Sequence, residues 1–266
     1  MCRLAKKYGP IMMLRLGEVP ALVLSSPEAA EEVLKTNDLK FADRNLNATL
    51  NALTYNGTDL TFAPYGERWR QLWKICVMEI LNPGPARLLS YRHIREEEVS
   101  RFIQNLTTSA GTGSPVDLTK MIYKFINDTF VRESVGSRCK YQDEYLDAFR
   151  NPHSPPADVD MFAAGSETSS ITLTWCMTEL VRFPAVMAKA QAEVRDAFKG
   201  ENKITEQDLE GLRYLKLVIK ETLRLHPPGP VLIPRVCRET CQIMGYDVPK
   251  GTVLFINVWS IGRDPC

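Results

Sequence analysis

The stretch Ala163-Ala164-Gly165-Ser166-Glu167-Thr168-Ser169-Ser170 sets small residues, one carboxylate and a run of hydroxyls inside the segment from Asp160 to Trp175, which otherwise reads as a buried helix. Small side chains let a flat group pack directly against a helix backbone. A threonine hydroxyl that competes for a backbone carbonyl loosens the helix locally, which makes room for water or a diatomic ligand. Glu167 and Thr168 follow that gap immediately, so an acid and a hydroxyl stand where protons would be delivered. The same residues equally suit a kinked helix that carries a satisfied hydroxyl and a solvated carboxylate.

A second constellation is KETLRLHPPGPVLIPR, from Lys220 to Arg235. Glu221 and Arg224 lie three apart on one helix face, within reach of an ion pair. On a surface such a pair is worth little. His226 precedes two prolines at the helix end, where a capping or structural role fits better than ligation. The sequence has no GxGxxG, Walker loop, HExxH or GxSxG, so nucleotide, zinc-protease and hydrolase chemistry find no support. Seven cysteines (Cys2, Cys76, Cys139, Cys176, Cys237, Cys241 and Cys266) stand at irregular spacings, which suits reduced thiols better than a disulfide framework. Cys76 and Cys176 fall on apolar helix faces, and Cys237 with Cys241 match no common zinc spacing, so buried inert thiols are expected.

Elements that could position these residues are legible along the chain. The 266 residues are 44% hydrophobic and 24% charged, as in an ordinary globular protein. Thirty-three basic against 32 acidic side chains leave a formal charge of +1, so no global field attracts nucleic acid. The N-terminal stretch has no apolar run long enough for a signal core or a membrane span. IMMLRL (11–16) and ALVLS (21–25) read as a hairpin across GEVP. Pro27 starts a helix, GERWRQLWKICVMEIL (66–81) and RHIREEEVSRFIQNL carry helical apolar stripes, and Thr205 with Asp208 form a capping box ahead of a helix that ends at Pro227. GPVLIPRV and GTVLFINV read as strands. Between DEYLDAFR and DMFAAG, the prolines at 152, 155 and 156 mark either a linker or a seam where residues are missing.

Together these strings resemble the cytochrome P450 family, the haem-thiolate monooxygenases, and in particular its plant class. AAGSETS is similar to the oxygen-binding helix, and Glu-x-x-Arg with His-Pro-Pro and Pro234-Arg235 is similar to the helix and strand that follow it. KYGPIMMLRLGEVPALVLSSPEAAEEVLKTND, FADR, FAPYGERWRQLWKICVMEIL and VPKGTVLFINVWSIGRDP extend the likeness over nearly the whole chain, in the family's order. The fold implied is mainly α with small β-sheets. Carried over, Ala164 and Gly165 would face haem and oxygen, Glu167 and Thr168 would deliver protons, and Glu221 with Arg224 would form the core ion pair. Trp69 and Arg235 would reach the haem propionates, the latter through a planar guanidinium. The resemblance also implies O2, a small hydrophobic substrate of secondary-metabolite type, an NADPH-dependent reductase as electron donor, and the cytosolic face of the endoplasmic reticulum.

The chain departs from the family pattern at several places. Trp73 stands where the pattern has the second propionate cation, an arginine. Residues 1–150 correspond to the first sheet and following helices, 151–158 replace the helices that roof the substrate pocket, and 159–266 run from the oxygen-binding helix through the later strands. The N-terminal anchor has no counterpart here, so a cytoplasmic or peripherally associated chain is expected. The glycine-rich loop that carries the iron-ligating cysteine has none either, so haem-thiolate ligation is not expected, and metal ligands are assigned to no residue. Two expectations follow: a monooxygenase by family, and a non-catalytic or binding-only fragment for this stretch by itself.

Overall fold

The computed structural model describes residues 2–54, 56–78, 84–113, 115–137, 160–200 and 204–264. The junction at 151–158 and the cysteines Cys139 and Cys266 lie outside them. The chain forms two compact units, residues 1–81 with 224–266 and residues 82–223. These units cut across the three sequence segments, because each gathers its core from stretches far apart in the chain.

The first unit is built on a four-stranded sheet. Helix α1 (Cys2–Tyr8) precedes β1 (Ile11–Leu16) and β2 (Val19–Leu24), which pair antiparallel as expected. The turn is only Gly17 and Glu18, since Val19 and Pro20 already belong to β2. Gly17 takes a φ of 65°, a left-handed value that a residue without Cβ adopts at little cost. Ser26 Oγ caps α2 (Pro27–Glu31) by accepting from Ala29 N at 3.3 Å. Helices α3 (Ala48–Leu53) and α4 (Glu67–Cys76) follow.

From the other end of the chain come β3 (Arg235–Val236), β4 (Cys241–Ile243), β5 (Tyr246–Val248), β6 (Val253–Ile256) and a short final helix, Val258–Ile261. The sheet order is β1-β2-β6-β3, with β6 parallel to β2, while β4 and β5 form a separate antiparallel pair. Residues 21–24 of β2 are buried without alternation, which marks a central strand covered on both faces. Leu22, Leu24, Val33, Phe41, Cys237, Ile243, Val248, Leu254 and Ile256 close one core. GPVLIPRV yields only the two residues of β3. Pro230 and Pro234 have no N–H to give a ladder, and Leu232 sits at a φ of 52°.

The second unit is helical. α5 (Pro85–Ser90), α6 (Arg92–Gly111) and α7 (Leu118–Val135) lead to α8 (Asp160–Arg182), α9 (Pro184–Ala197) and α10 (Arg213–Leu225), the last running across the boundary between the units. α7 packs against both α6 and α8. Cys176, Leu180 and Ala190 form a smaller core with Met177, Val186, Met187, Tyr214 and Val218. The expected Thr205 and Asp208 box is present, with Thr205 N donating to Asp208 Oδ2 at 2.7 Å, but it caps a 3-10 turn (Glu206–Gly211) rather than α10 itself. α10 is instead capped from outside, as Tyr214 and Leu215 N–H groups donate to the Glu193 carboxylate at 2.8 and 2.9 Å.

Ion pairs tie these helices together. Arg95 holds Glu206 at 2.5 Å and Glu133 at 2.9 Å. The Arg95 hydrogen bond keeps the Glu206 carboxyl below its ordinary value near 4.5, and the Tyr214 N–H does the same for Glu193. A carboxylate with a depressed folded-state pKa stabilises the fold above its unfolded value, and that contribution is lost as pH falls through the folded value. The unfolding midpoint is therefore expected to fall on acidification from about pH 6 to about pH 3. Glu206→Gln should lose less over the same interval, and parallel pH curves for the two proteins would refute the assignment.

Candidate functional site

α8 runs unbroken through GSETS, so the local loosening expected there does not occur. The hydroxyls of Thr168, Ser169, Ser170 and Thr172 bond back to the carbonyl one turn earlier. Thr168 Oγ1 donates to Ala164 O at 2.7 Å, Ser170 Oγ to Ser166 O at 2.7 Å and Thr172 Oγ1 to Thr168 O at 2.8 Å. Ser and Thr satisfied in this way cost the helix little and keep their acceptor lone pairs outward.

The motif splits over two faces of the helix. Ala164, Glu167 and Thr168 are exposed, whereas Ser166 and Ser170 are buried. Gly165 belongs to the packed side. A Cβ there would lie 2.5 Å from Phe130 Cε2 and 2.8 Å from Phe130 Cζ, so the missing side chain makes room for an aromatic ring of α7. The sequence reading gave Gly165 to a haem face, and the position of Phe130 could not be read from local spacing. What α8 presents to its open side is a methyl, a carboxylate and a hydroxyl on adjacent turns. That set can exchange protons with a ligand held against it.

Trp69 and Arg235 lie in the first unit. Trp69 Nε1 donates to Leu60 O at 3.0 Å, and its ring stacks on Trp73 with centroids 5.7 Å apart and planes 5° from parallel. Trp73, in place of the cation expected from the resemblance, thus supports Trp69 by stacking. Arg235 Nη1 donates to Asp38 Oδ1 at 2.6 Å. Arg44 stands close enough that the Arg235 charge adds to burial in lowering its pKa. Arg44 Nε donates to Thr61 O at 3.0 Å, while its Nη1 is buried without a partner. Nothing in the FADR string itself marks Arg44 for this position. Two guanidiniums meeting from positions far apart in sequence have no local signature.

Glu221 and Arg224 are both exposed on α10, and Arg224 Nη1 donates to the Gly262 carbonyl oxygen. Loss of an exposed arginine making a bond of this kind is expected to cost about 1 kcal/mol. Urea unfolding of Arg224→Ala tests this, since a loss of roughly 3–5 kcal/mol would instead mark a buried ion pair.

A family model described as cytochrome P450 matches residues 1–152 and 158–266. The chain is 49% identical over 349 residues to the zealexin A1 synthase of Zea mays, covering 100% of this chain and 69% of that protein. The ent-cassadiene hydroxylase of Oryza sativa subsp. japonica is 41% identical over 353 residues, covering 98% and 68%. A zebra fish cytochrome P450 solved with progesterone superposes with a TM-score of 0.83 at 22% identity, over 99% of this chain and 79% of that one, which shows the shared fold. The chain belongs to the cytochrome P450 family.

Membership implies a haem cofactor, molecular oxygen, a substrate and a redox partner that supplies electrons. Aligning 266 residues over 349 positions opens gaps in this chain, and the family match breaks at 153–157, inside the proline-rich junction. No helix among the described residues is long and apolar enough to cross a membrane. The residues present suit the periphery of haem, since the buried, unpartnered Arg44 Nη1 and the neighbouring Arg235 are donors for propionate oxygens. Among the described residues, Cys76, Cys176 and Cys237 do not suit its iron. Cys176 is buried on α8 itself, Cys76 lies on α4, and burial pushes the Cys237 thiol up to about 12, far from a thiolate at neutral pH.

Proposed function

We propose that this chain carries the oxygen-side and propionate-side residues of a monooxygenase that inserts one oxygen atom of O2 into a terpenoid-class hydrocarbon. Supporting this are the relatives, named for a zealexin synthase, a dolabradiene monooxygenase and an ent-cassadiene hydroxylase, and the exposed Glu167 and Thr168 on one side of α8. In this reading Thr168, already donating to Ala164 O, holds its lone pairs toward the ligand, and Glu167 supplies protons from solvent. Ala164 leaves room for the ligand against the helix, Gly165 admits the Phe130 ring, and Trp69 and Arg235 with Arg44 hold the propionates. An NADPH-dependent reductase on the endoplasmic reticulum surface would supply the electrons.

A second reading rests on the thiols. With Cys237 protonated and Cys176 on the oxygen-side helix, residues 1–266 by themselves act as a non-catalytic or binding-only product. Turnover under 18O2 with haem, reductase and a diterpene olefin tests both. Residues 1–266 fused to the cysteine-bearing loop of a maize relative should give product with a single 18O, and residues 1–266 alone should give none. Failure of the fusion beside an active relative would contradict the first reading, and product from the unfused chain would contradict the second.

A further inference from the structure

The first unit places two thiols side by side where the chain leaves β3. Cys237 leaves β3 and Cys241 opens β4, with only Arg238, Glu239 and Thr240 between them. Their sulfurs are 3.8 Å apart, in contact, and both residues are buried. The backbone holds this arrangement in place. Cys237 N donates to Thr252 O at 2.9 Å, Gly251 N donates to Cys237 O at 2.8 Å, and Cys241 pairs with Val248 across the β4–β5 ladder.

We infer that Cys237 and Cys241 are a reversible dithiol–disulfide pair, a modification site of the β3–β4 corner that responds to small peroxides. A disulfide needs the sulfurs to close by about 1.8 Å from their present contact of 3.8 Å. An open cleft of about 540 Å³ lined by Cys237 with Arg238, Glu239, Lys250 and Gly251 borders the pair, and because Cys237 is wholly buried a peroxide reaches its sulfur through local opening of this corner. A small neutral oxidant fits such an opening. One thiol loses its proton and attacks a peroxide oxygen, so the O–O bond breaks, water leaves and that sulfur becomes a sulfenic acid. The second sulfur then attacks the first, the S–O bond breaks and a second water leaves. Two electrons pass from the pair of sulfurs to the peroxide, and both thiol protons end in water.

Chemistry of the neighbourhood sets the direction of the response. The Cys237 thiol is pushed up to about 12 by burial first and by Cys241 second, and its Sγ donates to Glu239 O at 2.9 Å. The pair is therefore reduced at rest in a reducing compartment and needs an oxidant to close. Once formed, the bond spans a short loop beside Arg235, so it stiffens the strand exit rather than joining distant parts of the chain.

Peptide mapping tests this directly, because trypsin cuts after Arg235, Arg238 and Lys250 and so separates the two cysteines. The native protein is treated with hydrogen peroxide, its remaining thiols are alkylated under denaturing conditions, and it is digested. The expected product is Val236–Arg238 joined to Glu239–Lys250, released as two peptides by dithiothreitol, with the intact protein lighter by two hydrogen atoms before reduction. Recovery of the two peptides separately, each alkylated or carrying sulfinic acid, in a sample whose Cys76 peptide is oxidised, would overturn the proposal. Cys241→Ser should leave the Val236–Arg238 peptide unlinked. A disulfide from Cys237 to another cysteine of the folded wild-type chain would also overturn it.

Discussion

Arg132→Ala is expected to destabilise the helical unit by roughly 3 kcal/mol, the low end of what breaking a buried ion pair costs. Arg132 lies on α7 and holds Glu98 of α6 at 2.6 Å through Nη1 and Glu97 at 2.6 Å through Nη2. The Glu98 side chain is only 2% exposed, so removing the guanidinium deprives a desolvated carboxylate of its cation. Glu97 is 57% exposed, and its share of the effect is small. Arg132 keeps 17% of its side chain in solvent, which is why the low end applies. Equilibrium unfolding in urea of Arg132→Ala against the parent measures the loss. A change below about 1 kcal/mol would show that water reaches Glu98 and that the pair is solvated.

Gly165→Ala is the second large effect expected, a loss of about 1–3 kcal/mol from overpacking. The new methyl would sit 2.5 Å from the Phe130 ring, closer than carbon atoms pack, so α7 and α8 must separate or the ring must turn. Alanine would otherwise favour the helix by up to about 1 kcal/mol, so a net loss isolates the clash from backbone propensity. Phe130→Leu in the Gly165→Ala background should recover part of the stability, since the shorter side chain removes the ring atoms the methyl meets. If Gly165→Ala is neutral or stabilising, the glycine is not there for Phe130, and its place in the motif needs another cause.

Much of this arrangement was legible where the signal is local. The β1–β2 hairpin follows from two apolar runs around a glycine turn, the Thr205 and Asp208 box from its spacing, and α2 from Pro27 at its start. Separate strings of residues pointed to the family because each is short and contiguous. What the sequence did not show depends on pairs from distant stretches. β6 joins β2 in parallel across more than two hundred residues, and Arg44 meets Arg235 beside Asp38. GPVLIPRV read as a strand by its apolar run, yet two prolines and the left-handed Leu232 leave it only two paired residues. On α8 the residue types stand out in the sequence, but only packing shows that Gly165 turns to α7 while Glu167 and Thr168 face outward.

The central proposal is that this chain carries haem-periphery and oxygen-side residues of a cytochrome P450, and that among the described residues Cys76, Cys176 and Cys237 are not placed to ligate iron. A carbon monoxide difference spectrum tests it most directly, recorded on the purified chain after reconstitution with haem and reduction. The prediction is no strongly red-shifted Soret band, because Cys237 is held as a thiol and Cys176 sits on the oxygen-side helix itself. A stoichiometric red-shifted band of the thiolate type, abolished by a single Cys→Ala substitution, would contradict it.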